Sequence, residues 1–145
     1  MNVFQSSFEH RLREWRDLRN KTADLSILDS SILIDDWWQQ APYVKQHLHP
    51  NDQENWPDPW TLLSENTYCP LTRAIGICYT LFLCGIDDVE LVVATDSTCE
   101  EHYLVLVDNA KYILSYWPKT VISNKLTDFT VLRTIPIDSI QTKIK

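Results

Sequence analysis

The chain has 145 residues and a formal net charge of −7, and it contains only two glycines, Gly76 and Gly85. A phosphate-binding loop of the P-loop or dinucleotide type needs several glycines within a few positions, so both loop types are excluded. Twenty acidic residues against thirteen basic ones argue against binding to nucleic acid or to an anionic membrane surface. Hydrophobic residues make up 44% of the chain, which predicts one folded domain with its own core.

The first helical pattern carries apolar residues at spacings of three and four. They are Phe4, Phe8, Leu12, Trp15 and Leu18. A second helix is predicted to begin with Ser30 or Ser31 as its N-cap and to stop at Pro42. Asp58 as cap and Pro59 at the first position predict a short third helix after a proline-rich loop.

A central helix is predicted from Pro70 to Gly85, and it is apolar almost all round, which is typical of a buried helix. Four segments rich in β-branched residues follow it: Val89–Thr95, Glu101–Val107, Lys111–Trp117 and Phe129–Ile135. Helices first and strands afterwards indicate an α+β fold. We expect N-terminal helices and one buried central helix packed on a small antiparallel sheet of about four strands.

Neither a membrane span nor a signal region is expected. The longest apolar stretch, 74–86, is shorter than the roughly 20 residues that a bilayer requires. The N-terminus reaches Glu9 without an apolar signal region, which predicts a protein of the cytoplasm or of a virion. His47 and His49 have no third ligand at metal spacing, so neither a metal nor a cofactor is expected.

The cysteines show no CxxC spacing, which favours free thiols in a reducing compartment. They are Cys69, Cys78, Cys84 and Cys99. Cys69 directly precedes Pro70 and lies at the edge of the central helix, where unpaired N–H groups favour a thiolate. The same position also suits a small apolar residue that fills space at a helix start.

His102 lies on a predicted strand, and Ser115 on the next strand falls on the same face of the sheet. A helix-start cysteine, a strand histidine and a third group on the next strand are the parts of a Cys-His-acid hydrolase. The pattern therefore makes Cys69, His102 and Ser115 the candidate catalytic residues.

At these residues the chain resembles the transglutaminase-like cysteine peptidases, which share the papain-like arrangement. The similar segments are Tyr68–Gly76 with Cys84–Ile86, which look like the nucleophile helix, and Glu101–Val107 with Lys111–Leu114, which look like the histidine and acid strands. The resemblance implies Cys69 as nucleophile, His102 as base and Ser115 at the position of the acid.

Two departures from that family matter. Its usual glycine before the cysteine is Thr67 here, and no acidic residue follows Cys69 closely. Ser115 can accept a hydrogen bond from imidazole but cannot stabilise imidazolium with charge. The triad is therefore predicted to be incomplete.

The length predicts one domain over 1–145, in which we distinguish three parts. A helical leader and a proline-rich loop cover 1–57, a transglutaminase-like core covers 58–136, and a tail covers 137–145. The tail has apolar residues at a helical spacing and is too short to form a stable helix alone, so we expect it to dock on its own domain or on a neighbour.

Tryptophans are enriched at interface hot spots, and five of them are candidates for contact with a protein partner, although packing in the core is the alternative. They are Trp37, Trp38, Trp56, Trp60 and Trp117. The segments Asp36–Trp38 and Trp56–Leu63 also resemble small particle proteins of tailed bacteriophages.

Two functions remain. The first is a non-enzymatic structural or adaptor protein on a transglutaminase-like scaffold, assembled with other protein subunits in a phage tail, neck or baseplate. It follows from the missing acid and from the altered residues around Cys69. The second is an active cysteine hydrolase or amidase that uses Cys69 and His102.

Overall fold

The N-terminal helices of the computed structural model are set by serine and aspartate caps. The structure describes residues 2–43, 48, 50–116, 121–123, 126–137 and 140. The helices are α1 (Phe8–Lys21), α2 (Ile27–Trp38), α3 (Pro59–Glu65) and α4 (Pro70–Leu83), and a short 3-10 turn covers Val3–Gln5.

Two helix starts differ from the prediction, and serine caps explain both differences. The Ser7 side chain accepts from the N–H of His10, so α1 begins at Phe8 and is separated from the turn that holds Phe4. The Ser26 side chain caps α2, so this helix starts before Ser30 and Ser31, which lie buried inside it. A Ser at an earlier position therefore takes the cap that the pattern assigned to Ser30 or Ser31.

The starts of α3 and α4 are those predicted. Asp58 accepts from the N–H of Thr61 at 2.7 Å, and Pro59 opens α3. Pro70 opens α4, whose residues from Leu71 to Phe82 are all buried. Gly85 follows α4 with a φ of +84°, a conformation that favours glycine at the end of a helix.

The sheet is antiparallel with the order β4-β3-β2-β1-β5. Its strands are β1 (Val89–Thr95), β2 (Glu101–Val107), β3 (Tyr112–Leu114), β4 (Ile122–Ser123) and β5 (Thr130–Ile135). The α+β class is confirmed, and the described residues form five strands because the two-residue β4 pairs with β3. The third strand is shorter than predicted because Ser115 has a φ of +67° and leaves the ladder.

The main core lies between the helices and one face of the sheet. On β2, Val105 and Val107 belong to this core together with α4, whereas Leu104 and Leu106 belong to a smaller cluster on the opposite face. Alternation along the strand thus separates the two clusters. No helix among the described residues is long and apolar enough to cross a membrane.

The tryptophans predicted as interface residues divide between core and surface. Trp38 is 1% exposed and Trp56 is 2% exposed, so both pack in the core of this domain, which corrects their assignment to an interface. Trp37 is partly buried against the same core, whereas Trp60 is 43% exposed. Trp117 lies outside the described residues.

The beginning of the tail packs on its own domain. Ile140 is fully buried in the main core, and Ile137 is partly buried against it. The N–H of Ile140 donates to the carbonyl of Ile137, as in a helical turn. Of the two partners expected for the tail, its own domain is therefore the one that Ile140 contacts. The residues after Ile140 lie outside the described part of the chain.

Candidate active site

Cys69 is the N-cap residue of α4 and is fully buried. Its carbonyl accepts the N–H of Arg73, the first hydrogen bond of the helix. Its Sγ lies 3.0 Å from the hydroxyl of Thr72. The start of a helix carries partial positive charge, whereas complete burial disfavours a charged group, so the two features of this position act on the thiol in opposite directions.

His102 is the second residue of β2, and three neighbouring side chains contact its ring. Its Nε2 lies 2.9 Å from a carboxylate oxygen of Asp96. The ring makes edge contacts with Tyr116, at a centroid distance of 4.7 Å, and with Phe129, at 6.4 Å. These contacts fix the imidazole plane, and the carboxylate favours a proton on Nε2, which leaves Nδ1 as the basic nitrogen.

Asp96 is positioned by its own loop between β1 and β2. Its Oδ1 accepts from the N–H and the hydroxyl of Thr98 and from the N–H of Glu100. The hydrogen bonds from Thr98 and then His102 hold the pKa of Asp96 well below its usual range. Asp96 therefore stays ionised and can stabilise a charged imidazolium, which a serine cannot do.

Ser115 occupies a different role from the one predicted. Its Oγ is buried and makes no hydrogen bond among the described residues, so it does not orient His102. Its backbone N–H donates to Asp35 Oδ1 at 2.8 Å. The side-chain contact with His102 that was predicted for Ser115 is made by Asp96, which lies six residues before the histidine on the opposite side of β2.

Asp35 and Arg73 form a second buried polar group beside the site. Asp35 is fully buried on α2, and desolvation raises its pKa to about 6 despite the hydrogen bond from Ser115. The Arg73 guanidinium donates to Gln39 Oε1 and to the carbonyl of Ala41. Burial lowers the pKa of Arg73, and its guanidinium stacks on a ring, that of Tyr43, at 3.8 Å. This group ties α2, α4 and the end of β3 together.

One small cavity joins these elements and has a volume of about 100 Å3. It is lined by His102 and Ser115 from the sheet, by Pro70 from the start of α4 and by Tyr43. Tyr103, Glu100 and Glu101 complete its wall. The cavity therefore brings two of the three predicted site residues together and reaches the residue next to Cys69.

Asp96, Glu100 and His102 each place one ligand atom within 4.8 Å of the others. This oxygen and nitrogen set has the donor types of a cation site. The hydrogen bonds of Asp96 to its own loop and to His102 account for the arrangement without an ion. His47 and His49 lie outside the described residues.

Sequence reasoning missed Asp96 and Asp35. The signal for Asp96 is local: an aspartate at the end of a strand, two residues before a threonine, is typical of a turn in which the carboxylate accepts backbone N–H groups. Such a turn fixes the carboxylate beside the next strand. No local signal marks Asp35, because its contact with Ser115 joins residues 80 positions apart.

Comparison with models of protein families and with curated proteins found no match. Among solved structures, the calcium-bound LapG of Legionella pneumophila is similar to this chain with a TM-score of 0.72 and 14% sequence identity. The similarity covers 90% of this chain and 77% of LapG. None of these comparisons supports the resemblance to bacteriophage proteins. The similarity shows that this chain shares the fold of LapG.

Proposed function

We propose that this chain is a cysteine hydrolase that cleaves or transfers amide bonds, with Cys69 as nucleophile, His102 as base and Asp96 as the orienting acid. The observation that carries the proposal is the 2.9 Å contact between His102 Nε2 and Asp96. The main argument against an enzyme was the lack of an acid beside the histidine. The Asp96 carboxylate lies beside the histidine, and its lowered pKa keeps it charged, so this argument no longer applies.

The proposed reaction assigns one step to each group. The Cys69 thiol gives its proton to Nδ1 of His102, and its sulfur attacks the carbonyl carbon of the amide. The C–N bond breaks as His102 returns that proton to the leaving amine, which leaves a thioester on Cys69. Water or a second amine then gives a proton to Nδ1 of His102 and attacks the thioester carbonyl, the C–S bond breaks, and the sulfur leaves as a thiolate that recovers the proton from His102.

Asp96 acts on the histidine and not on the substrate. It holds the proton on Nε2 and stabilises the imidazolium that forms when the thiol is deprotonated. The edge contacts of Tyr116 and Phe129 restrict the ring while this charge appears. Because the Cys69 Sγ points to Thr72 and is fully buried, the thiol must turn toward the cavity before it reacts.

Alkylation of the four cysteines by iodoacetamide at pH 6 tests the proposal. An ordinary thiol has a pKa of about 8.5 and is almost entirely protonated at that pH. We expect Cys69 to be labelled faster than Cys99, which is exposed and serves as an internal reference. His102→Ala should abolish the fast labelling of Cys69 and leave the labelling of Cys99 unchanged.

The matched control is Asp108→Asn, which removes a partly exposed carboxylate that pairs with Lys111 at 3.6 Å. It should leave the labelling of both cysteines unchanged. If the exposed Cys99 is labelled first in the wild-type chain, and Cys69 is slow with or without His102, the hydrolase proposal fails.

A second candidate is the non-enzymatic structural or adaptor protein, in a virion or in the cytoplasm, bound to other protein subunits. The complete burial of Cys69 favours it, because a substrate cannot reach a sulfur that no solvent reaches. It predicts equal, slow alkylation of Cys69 in the wild-type chain and in His102→Ala. The same labelling experiment therefore separates the two functions.

A further inference from the structure

A row of three arginines on α1 lines a cavity that is not part of the candidate active site. Arg13, Arg16 and Arg19 face it together with Leu12 and with Trp60 from α3. Its volume is about 300 Å3, within the size range of ligand-binding clefts. In a chain of net charge −7, three guanidinium groups in one cavity make a local region of opposite sign.

These arginines have no carboxylate partner among the described residues. The ion pairs in that part of the chain join His10 to Glu14, His102 to Asp96 and Lys111 to Asp108. Glu9 also lines the cavity, one turn before Arg13, but does not form an ion pair with it. The three positive charges are thus available to a ligand.

The inner end of the row is built into the fold. The Arg19 guanidinium stacks on the ring of the buried Trp15 at 4.3 Å, and its Nε is buried without a hydrogen-bond partner. Trp15 in turn contacts the edge of Trp60 at 6.2 Å. Partial burial also lowers the pKa of Arg19, as expected for a cation with few compensating groups. An anion at this end would supply the missing acceptor.

We propose that this cavity binds an acidic, partly apolar peptide segment of a protein partner. Positions 13 to 19 span six residues of helix, or about 9 Å, which is longer than a single phosphate or carboxylate group. Alternate side chains of an extended peptide lie about 7 Å apart, so two carboxylates can reach the row at once. An apolar side chain of that peptide packs on Leu12 and on the exposed ring of Trp60. This inference does not depend on the proposed catalytic function.

Calorimetric titration with a six-residue, end-blocked peptide of alternating glutamate and leucine tests the proposal. Arg16→Glu should weaken binding by about tenfold or more, because it replaces a charge-assisted contact by repulsion. Arg133→Glu is the matched control: it makes the same change in net charge at an exposed arginine on β5 and should leave binding unchanged. Trp60→Ala should weaken binding of the peptide without changing its salt dependence.

Three outcomes would overturn the proposal. The first is a lack of peptide binding, or equal weakening by Arg16→Glu and Arg133→Glu. The second is competition by inorganic phosphate at the same concentration as the peptide, which would mean a site for small anions only. The third is self-association of the wild-type chain that Arg16→Glu abolishes, which would make a second copy the occupant. Sedimentation velocity measures the third, and thermal unfolding verifies that all three variants are folded.

Discussion

Asp96 uses its two carboxylate oxygens for two purposes. One oxygen accepts three hydrogen bonds from its own loop, and the other accepts from His102. A change that preserves the first set and alters the second therefore separates loop structure from histidine orientation. Asparagine makes that change, because its amide oxygen can still accept from Thr98 and Glu100 while its NH2 group faces the imidazole.

We expect Asp96→Asn to fold normally and to lose the reactivity of Cys69 at pH 6. The amide NH2 donates to Nε2 of His102, so the ring proton moves to Nδ1, which can no longer accept a proton from the thiol. The loss should be about 100-fold or more in the labelling rate, the range of a lost general base. The rate of Cys69 alkylation as a function of pH and the midpoint of thermal unfolding measure the two effects. An unchanged pH profile would exclude Asp96 as the orienting acid.

The pattern of single residues predicted Cys69 at the helix start and His102 on its strand, but not which group holds the histidine. The expectation for Ser115 rested on regular alternation along the third strand. The positive φ of Ser115 ends that strand and directs its N–H to Asp35. A strand pattern does not show that a residue other than glycine adopts a left-handed conformation. The early end of the third strand at Ser115 could therefore not be predicted from the sequence.

One hydroxyl group connects helix α4 to α1 and to α2. Thr80 Oγ1 accepts from the indole N–H of Trp15 at 2.9 Å and from that of Trp38 at 3.0 Å. The same hydroxyl donates to the carbonyl of Gly76. The Trp38 ring lies over Gly76, where an added Cβ would be 2.7 Å from the ring. The helix that carries Cys69 is thus held in place by polar contacts inside an apolar core.

We expect Thr80→Val to destabilise the protein by about 2–5 kcal/mol, because it leaves two buried indole N–H groups without an acceptor. Urea unfolding followed by circular dichroism measures the change. Thr80→Ser is the matched control, since it keeps the hydroxyl and loses only a methyl group. A loss in Thr80→Ser as large as that in Thr80→Val would mean that packing, and not the shared acceptor, fixes the helix.

Elements with strong local signals were predicted to the residue. The starts of α3 and α4 follow from Asp58, Pro59 and Pro70, and the bounds of β1 and β2 follow from their runs of β-branched residues. The start of α2 was misplaced because Ser26, Ser30 and Ser31 offer the same capping chemistry, and only the tertiary packing selects among them. The burial of Trp38 likewise depends on Thr80 and Gly76, far along the chain.

At the scale of the whole molecule, the carboxylates of Asp96 and Asp35 make the free energy of unfolding depend on pH in opposite directions. The pKa of Asp96 is lowered, so its contribution is present above the unfolded value of about 3.9 and is lost as the pH falls below it. The pKa of Asp35 is raised from 3.8 to about 6 by burial, so the folded state holds a proton that the unfolded state has released. Its contribution is complete below pH 3.8 and is lost as the pH rises to about 6.

Asp35→Asn isolates the second contribution, because an amide of the same size does not titrate and its oxygen still accepts the N–H of Ser115. A rise in pKa of about two units corresponds to about 3 kcal/mol of unfolding free energy. The free energy of unfolding of the wild-type chain, relative to that of Asp35→Asn, should therefore fall by about 3 kcal/mol between pH 3.5 and pH 7. Urea titrations at intervals of half a pH unit measure it, and Asp108→Asn, at a partly exposed ion pair, is the control. A difference that stays constant across this range would mean that the hydrogen bonds from Ser115 and Gln39 and the charge of Arg73, which all lower the pKa of Asp35, hold it ionised in the folded protein.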